Sequence, residues 1–422
     1  MVDEKIRDLH SSSSCRGKDY CRGCGNFSLF SALDLGSLPI ANELLSIPQV
    51  NAPLYPLHLK VCNSCGLGQV ADVVAPERLF SNYRYLSSMS STFLEHAERF
   101  VKDYIRRENF SKSDWVLEIA CNDGYLLKHF KSHQINVLGV EPAKNVADIA
   151  RSLGIPVISS FFGSNLAKEL LSEHGYPKLI VANNVMAHVP DIIDFVKGLR
   201  ILCGPRTSIS IENPSLTSIL TGYQFDTVYH EHFSYLSASS VRSISESHDL
   251  SLFKIDELAI HGGSNRYWLR QSELNKFVDD SVQKVIEFEE KIGLIEDRSW
   301  QRYYSQVQTI IKDFKDWLQL EHGEERRIFG YGAAAKASTL LNAVGAASKN
   351  VIAIADSSLE KQDRFMPSQL IPIISPGELF KSNPTDVVIF PWNIQSEIAQ
   401  FLRKNLKPEV NLWCAIPKLR VI

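Results

Sequence analysis

The sequence predicts an α/β protein with a small metal-stapled N-terminal module followed by two units built on parallel sheets. Three observations carry this expectation. Two Cys-x-x-Cys pairs, Cys21/Cys24 and Cys62/Cys65, stand near the start. Short apolar strands then alternate with helical stretches between residues 115 and 211, the pattern of a doubly wound sheet. A second alternation begins at Arg327 with its own glycine turn. At 422 residues the chain exceeds one core, and the expected division is 1–78, 79–252 and 253–422.

Each cysteine pair lets two thiolates point at one ion, and two pairs complete a tetrahedron. Gly25 and Gly66 follow the knuckles, where backbone must fold back towards sulfur. The residues between the pairs are tolerable because loop closure costs grow slowly with length. With all four positions filled by Cys21, Cys24, Cys62 and Cys65, the expected ion is a closed, structural zinc.

Composition narrows the partners. Net charge is −3, from 45 basic and 48 acidic residues, which gives no global attraction to nucleic acid or anionic membrane. No apolar run approaches the ~18 residues needed to span a bilayer. The segment MVDEKIRDLH lacks an apolar signal core. A cytoplasmic protein is expected, with no nucleic acid and no membrane partner; a monomer is expected because no exposed apolar stripe stands out.

Apolar residues at helical spacing predict a helix over 91–108. Strands are expected at 115–119, 137–140, 179–182 and 208–211, with helices at 125–133 and 145–153. The first strand runs into a turn of small residues, Glu118-Ile119-Ala120-Cys121-Asn122-Asp123-Gly124. Ligands of open parallel sheets sit at such strand ends. The second strand ends in Glu141-Pro142, an acid suited to ribose hydroxyls, and the third in Asn183-Asn184. Acid, acid and amides in this order are the layout of an S-adenosylmethionine site. Ala120-Cys121-Asn122-Asp123-Gly124 replaces the commoner Gly-x-Gly.

Two clusters follow the third and fourth strands on the same side of the sheet: His188, and Tyr229-His230-Glu231-His232. Such residues suit proton transfer. Methylating carbon requires a carbanion equivalent, so a base of near-neutral pKa is needed to form an enolate, with a donor to steady its oxyanion. His-x-His with Glu between also fits an oxygenase metal site. Spacing alone does not separate His230 from His232 as the base.

From Asn275 to Glu321 a long helix or helical hairpin is expected. The last unit then opens with strand Arg327–Phe329, the turn Gly330-Tyr331-Gly332 and a helix from Ala334. Helix N-termini bind phosphate through free N–H groups, which would bring Lys336 to phosphate. Read by itself the turn is of dinucleotide type, and the alternative function is an NAD(P)-dependent sugar-nucleotide oxidoreductase. His261-Gly262-Gly263-Ser264 is a soft turn where backbone can approach a ligand.

Taken in order, these motifs resemble the sugar C-methyltransferases, whose members methylate carbon 3 or carbon 5 of nucleotide-linked 4-keto deoxysugars. The resemblance rests on the two knuckles, Glu118–Gly124, Gly139–Pro142, Asn183–His188, Phe225–His232, His261–Ser264, Gly330–Lys336 and Pro391-Trp392-Asn393, nearly the whole chain. It implies a central Rossmann-like S-adenosylmethionine methyltransferase domain and a second Rossmann-like α/β domain that holds the diphosphate of a sugar nucleotide (dTDP, GDP or similar). It implies His232 as general base, with Tyr229, Glu231 and His188 around the enolate. Cofactor contacts would come from Glu118, Ala120, Asn122, Asp123, Gly124, Glu141, Pro142, Asn183 and Asn184. Substrate contacts would come from Tyr83, Tyr85, His230, His261, Gly262, Gly263, Tyr331, Lys336, Trp392 and Asn393. Cys121 and Ala334 depart from the residues usual in that family, without removing a functional group.

Overall fold

A computed structural model of the chain describes residues 14–15, 19–48, 52–80, 86–89, 91–274, 277–320 and 326–422. Tyr83 and Tyr85 lie outside the described residues.

The N-terminal module is an antiparallel sheet of β1 (Leu29–Pro39), β2 (Leu54–Cys62) and β3 (Gly68–Val70). Along β2, Leu57, Leu59 and Val61 turn inward at the two-residue period of a half-buried strand. A fourth strand, Ser234–Tyr235, comes from far along the chain and pairs with β3. The segment just after His232 is therefore stitched into the N-terminal module.

The central sheet contains β4 (Trp115–Ile119), β5 (Asn136–Val140), β6 (Val157–Ile158), β7 (Leu179–Asn183), β8 (Ser208–Pro214), β9 (Leu250–Leu258) and β10 (Ser264–Gln271). Their spatial order is β9-β10-β8-β7-β4-β5-β6. From β6 to β8 all neighbours are parallel. Every residue of β4 and β7 is buried, as expected of strands covered on both faces. Chain order reverses between β4 and β7, and that switch point is where doubly wound sheets hold ligands.

The hairpin β9–β10 carries the central sheet past residue 252, since both strands belong to it and β10 runs antiparallel against β8. The segment SNRYWLRQ of β10 carries two arginines. Arg266 is nonetheless buried, because the Glu212 carboxylate of β8 lies against its guanidinium.

The charged stretch beyond forms the expected helical hairpin, Asp280–Lys291 and Asp297–Gln319. The longer helix buries Trp300, Tyr303, Val307, Ile310, Phe314 and Trp317 along one face, at helical spacing. These residues share one apolar core with Leu33 and Leu59 of the N-terminal module and Ile354 and Phe390 of the C-terminal unit. The first and last modules are thus packed on a common helix beside the central sheet.

The C-terminal sheet contains β11 (Ile328–Tyr331), β12 (Val351–Ala355), β13 (Ile373–Ile374), β14 (Asp386–Ile389), β15 (Asn411–Cys414) and β16 (Arg420–Val421). The order is β13-β12-β11-β14-β15-β16, parallel except at the last pair. Its own switch point lies between β11 and β14. Both switch points open onto one cavity of about 900 Å³, reached by Ala120 and Asn183 from the central sheet and by Gly332 and Pro391 from the C-terminal one.

Candidate active site

The four expected metal ligands come together. The sulfurs of Cys21 and Cys65 are 3.6 Å apart, those of Cys24 and Cys62 3.7 Å, and all four lie within 4.8 Å of one another. A tetrahedron with ~2.3 Å zinc–sulfur bonds has edges of roughly 3.8 Å, so the cage has the size of a zinc ion. Both knuckles fold alike. Gly25 N–H donates to Cys21 O and Gly66 N–H to Cys62 O, each at 2.9 Å, with φ of 75° and 76°. These conformations are easy only for glycine.

At the end of β4 and β7 the backbone is left-handed at Ala120, Asn122 and Asn184, with φ of 55°, 51° and 53°. Strained non-glycine residues of this kind persist only where the surroundings over-determine them. They carry Asn122, Asn183 and Asn184 to the cavity, with Glu141 and Pro142 across from them. The Glu141 carboxylate accepts from Asn122 N–H at 3.0 Å and Ala143 N–H at 2.9 Å, and burial raises its pKa. Glu118, Asp123 and Gly124 stand behind this wall rather than in it. Burial drives the Glu118 carboxyl well above its usual range.

Among the described residues, two buried acceptor oxygens on the cavity wall meet no donor: Asn183 Oδ1 and Asn184 Oδ1. Buried acceptors are costly unless a donor reaches them. A ligand that brings hydrogen-bond donors fits them, and the ammonium and ribose hydroxyls of S-adenosylmethionine are such groups.

Beyond that end lies the proton-transfer cluster. His232 Nδ1 faces the Thr227 carbonyl at 3.2 Å. A carbonyl only accepts, so Nδ1 carries the proton and Nε2 is the basic nitrogen. The Tyr229 hydroxyl sits 2.9 Å from Nε2 and donates to it. Burial, then His188, then Lys336 hold the His232 pKa well below its usual value, so the ring is neutral. His188 lies beside it, ring centroids 4.8 Å apart, and its Nδ1–H donates to Glu231 O at 2.6 Å. Burial lowers the His188 pKa to about 4.

His230 and Glu231 face the N-terminal module. His230 Nε2–H lies 3.2 Å from both Tyr55 O and Pro56 O, and its side chain is not part of the cavity wall. The expected substrate contact is instead a clasp on β2. Glu231 Oε1 accepts from the backbone and side-chain nitrogens of Asn42, at 3.1 and 3.0 Å, while the residue lines the cavity. Asn42 carried no signal in the sequence, because the partner stands 189 positions away.

From the C-terminal unit, Tyr331, Lys336 and Asn393 line the cavity, and His261 faces them from the central hairpin. Gly262, Gly263 and Trp392 lie off it. Trp392 Nε1–H donates to the buried Asp226 carboxylate at 2.8 Å, and its ring passes below the Lys336 ammonium at 5.0 Å. A Cβ on Gly262 would stand 2.3 Å from that ring. The glycine turn therefore admits Trp392 rather than a ligand.

Family comparisons agree with this layout. A zinc binding domain model matches residues 21–80, a methyltransferase domain model 93–254, and a C-methyltransferase C-terminal domain model 259–417. The chain is an S-adenosylmethionine-dependent C-methyltransferase. This methyltransferase is 29% identical over 406 residues to the C-methyltransferase NovU of Streptomyces niveus, covering 96% of this chain and 97% of that one. It is also similar to a solved S-adenosylmethionine-dependent methyltransferase of Anabaena variabilis, at 18% identity and a TM-score of 0.33, covering 42% of this chain and 85% of that one. A magnesium protoporphyrin IX methyltransferase of Synechocystis with bound S-adenosylmethionine is similar over 46% of this chain and 89% of that one, at 11% identity and a TM-score of 0.33. S-adenosylmethionine is the methyltransferase's cofactor and zinc its structural metal. The glycine turn at 330–336 falls inside the match to the C-methyltransferase C-terminal domain, so the nicotinamide reading has no support. No helix among the described residues is long and apolar enough to cross a membrane.

Proposed function

We propose that the chain methylates carbon 3 or carbon 5 of a nucleotide-linked 4-keto-6-deoxy sugar through an enolate. One observation carries this reading: a neutral histidine, His232, presents a basic Nε2 hydrogen-bonded to Tyr229 in a cavity shared by the cofactor end of one sheet and a phosphate-suited helix start of another. His232 Nε2 takes the proton from the ring carbon beside the carbonyl. The electron pair moves to the carbonyl oxygen, and the Tyr229 hydroxyl donates to the resulting oxyanion. S-adenosylmethionine supplies the electrophilic methyl group that the enolate carbon takes. Glu141 and the Asn122, Asn183 and Asn184 group hold the cofactor, and Lys336 and Asn393 the sugar nucleotide. Glu231 anchors Asn42 and so closes the cavity with the N-terminal module. Incubation with labelled-methyl cofactor and a nucleotide-linked 4-keto sugar is expected to yield a product heavier by one CH₂; absence of transfer to any such sugar overturns the proposal.

The depressed His232 pKa fixes a pH dependence. Protonated His232 is inactive as a base, and an ordinary histidine is half protonated near pH 6.5. A lowered pKa keeps it neutral there, so kcat/KM is expected to hold its plateau through pH 6.5 and fall only at more acid pH. An acid limb centred at or above 6.5 in the measured profile contradicts the assignment.

Gly262→Ala tests the seat of Trp392. The added methyl meets the indole at 2.3 Å from a backbone φ of 88°. The strain is about 1–2 kcal/mol from the left-handed backbone alone. KM for the sugar nucleotide is expected to rise roughly tenfold, the equivalent of 1.4 kcal/mol, with cofactor affinity unchanged. Equal loss of both affinities, measured by calorimetry, argues against a role confined to Lys336 and its neighbours.

A further inference from the structure

A second cleft lies at the opposite end of the central sheet. It has a volume of about 360 Å³, within the range of small-molecule sites. Strand β8 spans the two places: Pro214 lines the active-site cavity and Ser208 this cleft. Six steps of roughly 3.3 Å put them about 20 Å apart.

The cleft is strongly basic. Arg107, Lys178, Arg206, Lys254 and Arg270 line it, against Glu108 as the one acid among its lining residues. Three of the cations have carboxylate partners: Lys178 on Glu108 at 3.3 Å, Arg206 on Asp114 at 3.3 Å and Lys254 on Asp256 at 2.6 Å. Among the described residues, no carboxylate is at ion-pair distance from Arg107 or Arg270. Both instead lie over aromatic rings, Arg107 at 5.9 Å from Trp268 and Arg270 at 3.5 Å from Phe253. Rings hold the guanidinium planes in place yet leave their N–H forks unneutralised. Clustered like charges repel unless an anion joins them, and two guanidinium forks match phosphate oxygens bidentately.

We infer that this cleft binds a phosphorylated small molecule, held by Arg107 and Arg270 and remote from the site of methyl transfer. Calorimetric titration with inorganic pyrophosphate and, separately, with a nucleoside diphosphate tests it. The wild type is expected to bind saturably. Arg107→Gln/Arg270→Gln is expected to lose at least tenfold in affinity with its melting temperature kept, and exposed Arg107→Gln alone should show part of that loss. Lys336→Gln, altered in the active-site cavity, should retain the pyrophosphate binding that depends on Arg107 and Arg270. Tighter binding of the nucleoside diphosphate that is lost in Arg107→Gln/Arg270→Gln assigns a nucleotide as the occupant, and equal binding assigns the inorganic anion. Wild-type affinity in the double variant, loss of the pyrophosphate binding in Lys336→Gln, or no saturable binding of either probe overturns the inference.

Discussion

Replacing His232 with alanine is expected to slow methyl transfer about 10³-fold while leaving S-adenosylmethionine binding within a factor of two or so. The magnitude is that of a lost general base. The selectivity follows from the architecture. His232 sits on the loop between β8 and β9, whereas the cofactor's expected contacts sit on the ends of β4, β5 and β7. Nothing in the bond from Nδ1 to Thr227 O or from Tyr229 to Nε2 supports the cofactor end. Because the ring also packs against Tyr235, His232→Gln provides a fuller side chain with no basic nitrogen. It should be as inactive as the alanine variant, with a melting temperature closer to wild type. Tyr229→Phe removes the donor and keeps the base, so a smaller loss of roughly tenfold to a hundredfold is expected. Steady-state rates together with calorimetric cofactor affinities check all three. Near-full turnover in either His232 variant would make His188 the next base to test.

Zinc removal should have the second largest effect, and through a different route. The four sulfurs close the N-terminal sheet on itself, and that sheet carries Asn42 into the cavity and takes the His230 clasp. The same module shares a core with the long helix and the C-terminal unit. Losing the ion removes binding energy that is also folding energy. A chelator, or Cys65→Ala, is therefore expected to lower the melting temperature by on the order of 10 °C and to abolish turnover, even though no sulfur touches the cavity. Scanning calorimetry alongside a colorimetric assay of released zinc measures this. Stoichiometric zinc release with an unchanged melting profile contradicts a structural role.

Local features were readable from the sequence wherever one segment carried the whole signal. The Cys-x-x-Cys knuckles, the buried strands at 115–119 and 179–183, and the helix at 91–107 all declare themselves within a few residues. Features made by partners far apart did not. Nothing in the sequence marks Arg266 as buried until Glu212 is beside it. Asn42 is silent until Glu231 is found 189 residues on. The ambiguity between His230 and His232 had the same cause: two residues apart, they differ only in what lies opposite. His230 meets carbonyls of β2, and His232 meets Tyr229 and the cavity. Gly262 and Gly263 were read as a ligand-facing turn because glycine marks close approach, and the approach is real, but the approaching group at Gly262 is Trp392.

The central claim is that this cavity enolises a keto sugar with His232 as the base. Solvent exchange tests it most directly. With S-adenosylhomocysteine bound in place of the methyl donor, the enzyme in heavy water is expected to exchange the hydrogen on the ring carbon beside the carbonyl. His232→Ala should abolish that exchange. Deuterium incorporation at the wild-type rate in the variant, or methyl transfer by the wild type without any exchange-competent position in the sugar, would contradict the account.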